Sequence, residues 1–170
     1  MIAFFGNGMA EATGSVTDPK QYHRTLNDYW RSGAPDMVAH FPERIPADAQ
    51  NIHFLFTPSF LMGGARLYLL YQTSAEEIQR IRNVAEELRN SGCNLLGNTA
   101  GIPEINEFPK PLNIQEPILG EELPAGFDLY FFDATFPEMR QEEWCWNHGS
   151  THGIAINEKS QQVLFWAESW

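Results

Sequence analysis

Basic residues are scarce in this 170-residue chain, which has 11 Lys and Arg against 22 Asp and Glu, a formal net charge of −11. No stretch gathers the cations that phosphate neutralisation needs, since Arg80, Arg82 and Arg89 stand beside glutamates. Nucleic-acid binding is therefore excluded as an expectation, and so is attraction to an anionic membrane surface. A basic or a neutral partner, protein or small molecule, stays compatible with the charge. Cysteine is scarcer still, with only Cys93 and Cys145. Two cysteines make no disulfide framework, and free thiols in a reducing compartment are the expectation. No apolar run reaches the roughly 18 residues of a spanning helix. The opening MIAFFGNGMAEATGS has no basic n-region, so the cytoplasm is expected.

Motifs that bind nucleotides or activate a serine are missing too. GNGMAEATG and GNTAG lack a phosphate-loop lysine and the G-x-G-x-x-G order. No serine sits in G-x-S-x-G. No cofactor is expected.

What is present is apolar and aromatic content, 43% hydrophobic and 13% aromatic with 19% charged. A chain of this length buries about 70% of its unfolded surface and folds as one domain over 1–170. Residues 1–16 read as a loose lead-in. In TDPKQYHRTLNDYWRSG, Asp18 caps a helix with Pro19 at its first position, and Tyr22, Leu26, Tyr29 and Trp30 form one stripe. A connector broken by Pro42 and Pro46 turns Val38, Phe41 and Ile45 inward. NIHFLFT alternates as a strand. FLMGGARLYLLYQT reads as a central strand with Gly63 and Gly64 early in it. SAEEIQRIRNVAEELRNSG is the clearest helix, with a Ser74/Glu77 capping box, an Ile78, Ile81, Ala85, Leu88 stripe and a Glu76–Arg80 pair. Residues 93–125 hold five prolines and read as a long irregular strap. GFDLYFFDATF is a further strand, and HGIAIN and QVLFWAE flank EKSQ as a hairpin. The sum is α+β, with about five mainly antiparallel strands, two principal helices on one face and a Pro-rich strap.

Candidate chemistry centres on WCWNHGSTHG. Cys145, His148 and His152 carry zinc-ligand atoms, but the spacing falls short of a four-ligand set, and no metal site is assigned on it. Cys145 lies between Trp144 and Trp146, the setting of an inert thiol. Asp133, ending an apolar strand five residues after Asp128 and so on its other face, is the carboxylate most open to a shifted pKa. Cys145, His148, His152 and Asp133 together define one alternative, a small metal-dependent or Cys/His hydrolase. His40 and His53 read as hydrogen-bonded structural residues. The tryptophans point elsewhere. Trp144, Trp146, Trp166 and Trp170 crowd the last 27 residues and, with Gly63 and Gly64, suit a binding surface.

Residues His40, Phe41, Pro42, Pro46 and Ala49, followed by Pro58, Phe60, Leu61, Gly63 and Gly64, form H-F-P-x3-P-x2-A and P-x-F-L-x-G-G. This resembles a pattern in a family of small bacterial proteins, some of which look like exported lipoproteins. The resemblance implies no particular activity. It makes an exported or envelope-associated location the alternative to the cytoplasm, although no lipobox cysteine stands near Met1. The reading is a non-enzymatic bacterial binding or protein-interaction domain, acidic and soluble, with no assigned catalytic residue. Its terminal hairpin leaves an edge that can pair with a second copy as a homodimer.

Overall fold

The computed structural model describes residues 14–31, 33–59, 64–92, 126–135 and 150–169. Five strands form one antiparallel sheet: β1 (Gln50–Thr57), β2 (Arg66–Gln72), β3 (Asp128–Thr135), β4 (Ser150–Asn157) and β5 (Gln162–Ser169), in the order β1-β2-β5-β4-β3. The α+β expectation holds. β5, the most apolar strand, is central, and its hairpin with β4 turns through residues 158–161.

The first helical stretch folds in three parts. Pro19–Gln21 is a 3-10 turn capped by the Asp18 carboxylate, which accepts from Lys20 N at 3.0 Å. Tyr22–Thr25 (α1) is α-helical, and Leu26–Arg31 widens into a π-helix. Of the expected stripe, Tyr22 and Leu26 are buried, while the side chains of Tyr29 and Trp30 lie outside the described residues. A one-turn helix, α2 (Pro35–Val38), starts on Pro35 and runs into the expected connector, whose residues 39–49 are irregular, with Val38, Phe41 and Ile45 turned toward the core.

Helix α3 (Ala75–Gly92) has the predicted bounds. Ser74 Oγ accepts from Glu77 N at 3.2 Å, but the Glu77 carboxylate turns to Arg80 at 2.6 Å rather than closing the box. Arg80 therefore pairs at i,i+3 with Glu77, not at i,i+4 with Glu76. That pairing holds the Glu77 carboxyl below its ordinary range. Ile78, Ile81 and Ala85 are buried.

Alternation along the strands splits the core into two layers. Leu67, Leu69, Tyr71, Tyr130, Phe132, Ile154, Ile156, Val163 and Phe165 face the helices, beside Tyr22, Leu26, Val38, Phe41 and the α3 stripe. Leu55, Tyr68, Leu70, Phe127, Phe131, Ala155, Leu164 and Trp166 form the opposite layer. Both faces of β2 are buried, as its sequence predicts.

Gly64 stands ahead of β2, not within it, because ladder pairing begins at Arg66 opposite Thr57 and Glu168. A register shift between Phe131 and Asp133 sets Phe131 opposite Gly153 and Asp133 opposite His152. Counting by twos from Asp128 to Asp133 therefore fails across this bulge. At the other edge, β1 is irregular between Gln50 and His53, with Asn51 at φ 48, and Val16 bridges to Phe56. Those devices blunt that edge. Val16 thus belongs to the sheet, while the rest of the predicted lead-in up to residue 13, and the predicted strap at 93–125, lie outside the described residues. Among the described residues no helix is long and apolar enough to cross a membrane.

Arg82 ties α3 to the β3–β4 edge. Its Nη1 donates to Tyr130 Oη at 2.6 Å and its Nη2 to Asp128 at 2.8 Å. Its Nε lies 3.0 Å from Glu158, and its guanidinium stands 5.9 Å from the Tyr130 ring centre. The partner carboxylates are largely exposed, so the ion pairs are screened, and the packing and the Tyr130 bond carry most of the gain. Replacing Arg82 with Ala is expected to cost about 1–2 kcal/mol. Urea unfolding at low and high salt checks this, and the loss should shrink only slightly with salt.

Candidate functional site

One end of the sheet holds two of the buried polar residues, Thr151 and Glu168. There β2 begins, β4 begins, and β3 and β5 end. Arg66 pairs with Glu168, Glu168 with Thr151, and Ser150 with both Ser169 and Thr135. The next row holds Tyr68, Trp166 and Gly153.

On the face away from the helices, four side chains bury polar atoms that have no hydrogen-bond partner among the described residues: Tyr68 Oη, Thr151 Oγ1, Trp166 Nε1 and Glu168 Oε1. None of these residues exceeds 3% exposure. Each such atom carries a desolvation cost of about 1–3 kcal/mol. Burial pushes the Glu168 carboxyl up to about 8, against the opposing pull of the Arg66 charge, so Glu168 is a neutral acid at pH 7. The row then offers one obligate donor, the indole, and three groups that both donate and accept. Apolar neighbours close around it. Phe131 meets the Trp166 indole edge-to-face at 5.3 Å between ring centres. The indole also lies across Gly153, where any Cβ would strike it.

The helix face at the same end carries a pair of imidazoles. His40 follows α2 in a turn pinned by Phe41 N donating to Val38 O and by Tyr22 Oη donating to Pro42 O. Its Nε2 lies 3.2 Å from Trp166 O. A carbonyl only accepts, so Nε2 carries the proton and Nδ1 the lone pair in the neutral ring. That Nδ1 is buried and has no hydrogen-bond partner among the described residues. Burial, with the nearby His152, lowers the His40 pKa to about 3 against the raising effect of the Trp166 and Gly153 carbonyls. The His40 and His152 ring centres are 5.4 Å apart, with Phe41, Phe132 and Phe165 around His40. Trp166 joins the two faces, its carbonyl binding His40 on one side and its indole lying on the other.

Of the residues that the sequence nominates, Trp166 is wholly buried in the far-face layer, so it meets solvent nowhere and can contact only something that enters the core. Gly64 is half-buried, two residues ahead of Arg66. His152 is brought to His40. Asp133 is placed by its backbone opposite His152, its side chain lying outside the described residues. Trp144, Trp146, Trp170, Gly63, Cys145 and His148 also lie outside them. Among the described residues no three His, Cys, Asp or Glu side chains form a metal-holding group. His40, Tyr68, Thr151 and Glu168 join the site without being expected there. Glu168 does have a sequence signal, because QVLFWAES puts it in phase with Leu164 and Trp166, an acidic residue on an apolar strand face. His40 has none, since its neighbour His152 is more than a hundred residues away in the chain.

No protein-family model, no curated protein and no solved structure matches the chain.

Proposed function

We propose that this protein is a non-enzymatic binding domain whose site is the far-face row of Tyr68, Thr151, Trp166 and Glu168. The observation that carries the reading is the gathering of four unpartnered polar atoms on three neighbouring strands. Buried polar atoms are nearly always satisfied, and a cluster of exceptions marks a place where another molecule supplies the partners. Aromatic walls beside a few convergent polar groups are the composition of small-molecule sites. The ligand class follows from the row. It is small and uncharged, with an apolar body and both donor and acceptor atoms, because Glu168 is neutral and the indole only donates. A flat macromolecular partner fits less well, since all four groups lie within the core.

Saturation-transfer NMR of the full chain with benzamide, benzyl alcohol and glycerol tests the reading. Benzamide, which has a ring and both hydrogen-bonding functions, is expected to bind and to raise the melting temperature. Thr151→Val, which keeps the shape and removes the hydroxyl, should abolish that effect. The same substitution is expected to stabilise the ligand-free protein by about 1 kcal/mol, because it deletes an unsatisfied group. A loss of stability in Thr151→Val, with no probe binding the parent chain, would remove the basis of the proposal.

A second reading, metal-dependent chemistry, is favoured by one separate observation, the His40–His152 pair.

A further inference from the structure

We propose that His40 and His152 together hold a divalent transition-metal ion of the zinc type on the helix face of the sheet. This site is independent of the far-face row, and either can fail without the other.

His40 is oriented as a ligand would be. Metal-binding histidines characteristically donate one ring N–H to a carbonyl or carboxylate, which fixes the tautomer and leaves the other nitrogen to the metal. His40 has that arrangement, with Nε2 against Trp166 O and Nδ1 left with its lone pair. Nδ1 is buried and has no hydrogen-bond partner among the described residues.

Spacing is the second argument. A zinc ion lies about 2.0–2.1 Å from each imidazole nitrogen, so two imidazoles on one tetrahedral ion have ring centres about 5 Å apart. His40 and His152 are separated by 5.4 Å. Their planes meet at 26°.

The apolar shell is the third, with Phe41, Phe132 and Phe165 around the His40 ring. Neutral nitrogen donors in an apolar shell select Zn²⁺, Co²⁺, Ni²⁺ or Cu²⁺ over Mg²⁺ and Ca²⁺, which require oxygen. Among the described residues these two nitrogens are fewer than the three protein ligands of a catalytic zinc site.

The test uses the full chain, stripped with chelator and labelled with ¹⁵N at the histidine rings. Zinc chloride is titrated in, followed by calorimetry and ring-nitrogen NMR, with magnesium chloride as the contrast. Zinc is expected to bind as a single ion per chain, to shift the Nδ1 resonance of His40 and one ring nitrogen of His152, and magnesium to shift neither. His152→Gln and His40→Gln should each weaken zinc binding about tenfold or more. His152→Gln carries the mutational test if His40→Gln fails to fold, because the His152 ring is only partly buried. Zinc that leaves both rings unchanged, or that moves only the resonances of other histidines, overturns the proposal. So does a folded His152→Gln variant that binds zinc as tightly as the parent.

Discussion

Gly153→Ala is expected to cost about 4 kcal/mol or more, enough to leave much of the chain unfolded at 25 °C if it sits at the lower end of ordinary domain stability. The new Cβ would fall on the Tyr130 carbonyl oxygen of β3 and within 2.6 and 2.7 Å of the Trp166 indole carbons Cη2 and Cζ2. Neither obstacle can yield cheaply. The Tyr130 carbonyl belongs to the backbone of β3, beside the register shift between Phe131 and Asp133. The indole is wholly buried and held edge-to-face by Phe131. Urea unfolding of the variant should show a much lower midpoint with an unchanged slope, the signature of lost stability without a change in the area exposed. Because one of the two clashes is with backbone, pairing Gly153→Ala with Trp166→Leu should not restore the midpoint. Gly33→Ala is the contrast, with nothing within 4 Å of its added Cβ and no positive φ, and it is expected to be neutral or slightly stabilising. A Gly153→Ala midpoint close to the parent's would mean that Trp166 does not lie over β4.

The elements that were legible in the sequence are those whose signal is local. Helix α3 announces itself through Ser74, its stripe and its closing Gly92, and it appears with those bounds. The β4–β5 hairpin follows from two alternating runs around a short polar turn. The opposite facing of Trp166 and Phe165 follows from the period of a strand and is observed. What the sequence hid depends on contacts between distant positions. Gly64 sits in a stretch that reads as strand, but its pairing could be known only from the partners of Arg66. The bulge that sets Asp133 against His152 has no composition cue in DLYFFDAT. His40 reads as structural, and half of it is, since Nε2 makes the expected hydrogen bond; the orphaned Nδ1 and the neighbouring His152 ring appear only once the sheet is assembled. The two faces of the candidate site share Trp166, yet its sequence signal, an excess of tryptophan near one end, points to a surface patch rather than to a buried hinge between two polar clusters.

Replacing Glu168 with Gln is expected to stabilise the protein at neutral pH and above, and to remove a loss of stability that the parent suffers on the way there. The Glu168 carboxyl titrates near 8 in the fold against an ordinary value of 4.5. Between those values the folded chain holds a proton that the unfolded chain has released, so stability falls as the pH rises. The contribution is complete below 4.5 and gone once the pH passes about 8. Its full size is about 5 kcal/mol at most, since each tenfold change in proton affinity is worth about 1.4 kcal/mol. His40 acts with the opposite sign. Its pKa is lowered from 6.5 to about 3, so its contribution is complete above 6.5 and is lost as the pH falls toward 3. The two slopes cancel between 4.5 and 6.5, and the Glu168 effect stands alone only from 6.5 to about 8, where the parent should lose about 2 kcal/mol. Urea unfolding of both proteins from about pH 5 to about pH 9 separates them. The difference between parent and Glu168→Gln should widen steadily from 4.5 to about 8 and then level off. The Arg66 charge pulls the carboxyl back toward its ordinary value, so Arg66→Met should carry the levelling point to still higher pH. Parallel curves for parent and Glu168→Gln would mean that the carboxyl is ionised in the fold, and a neutral acid could then no longer be part of the far-face row.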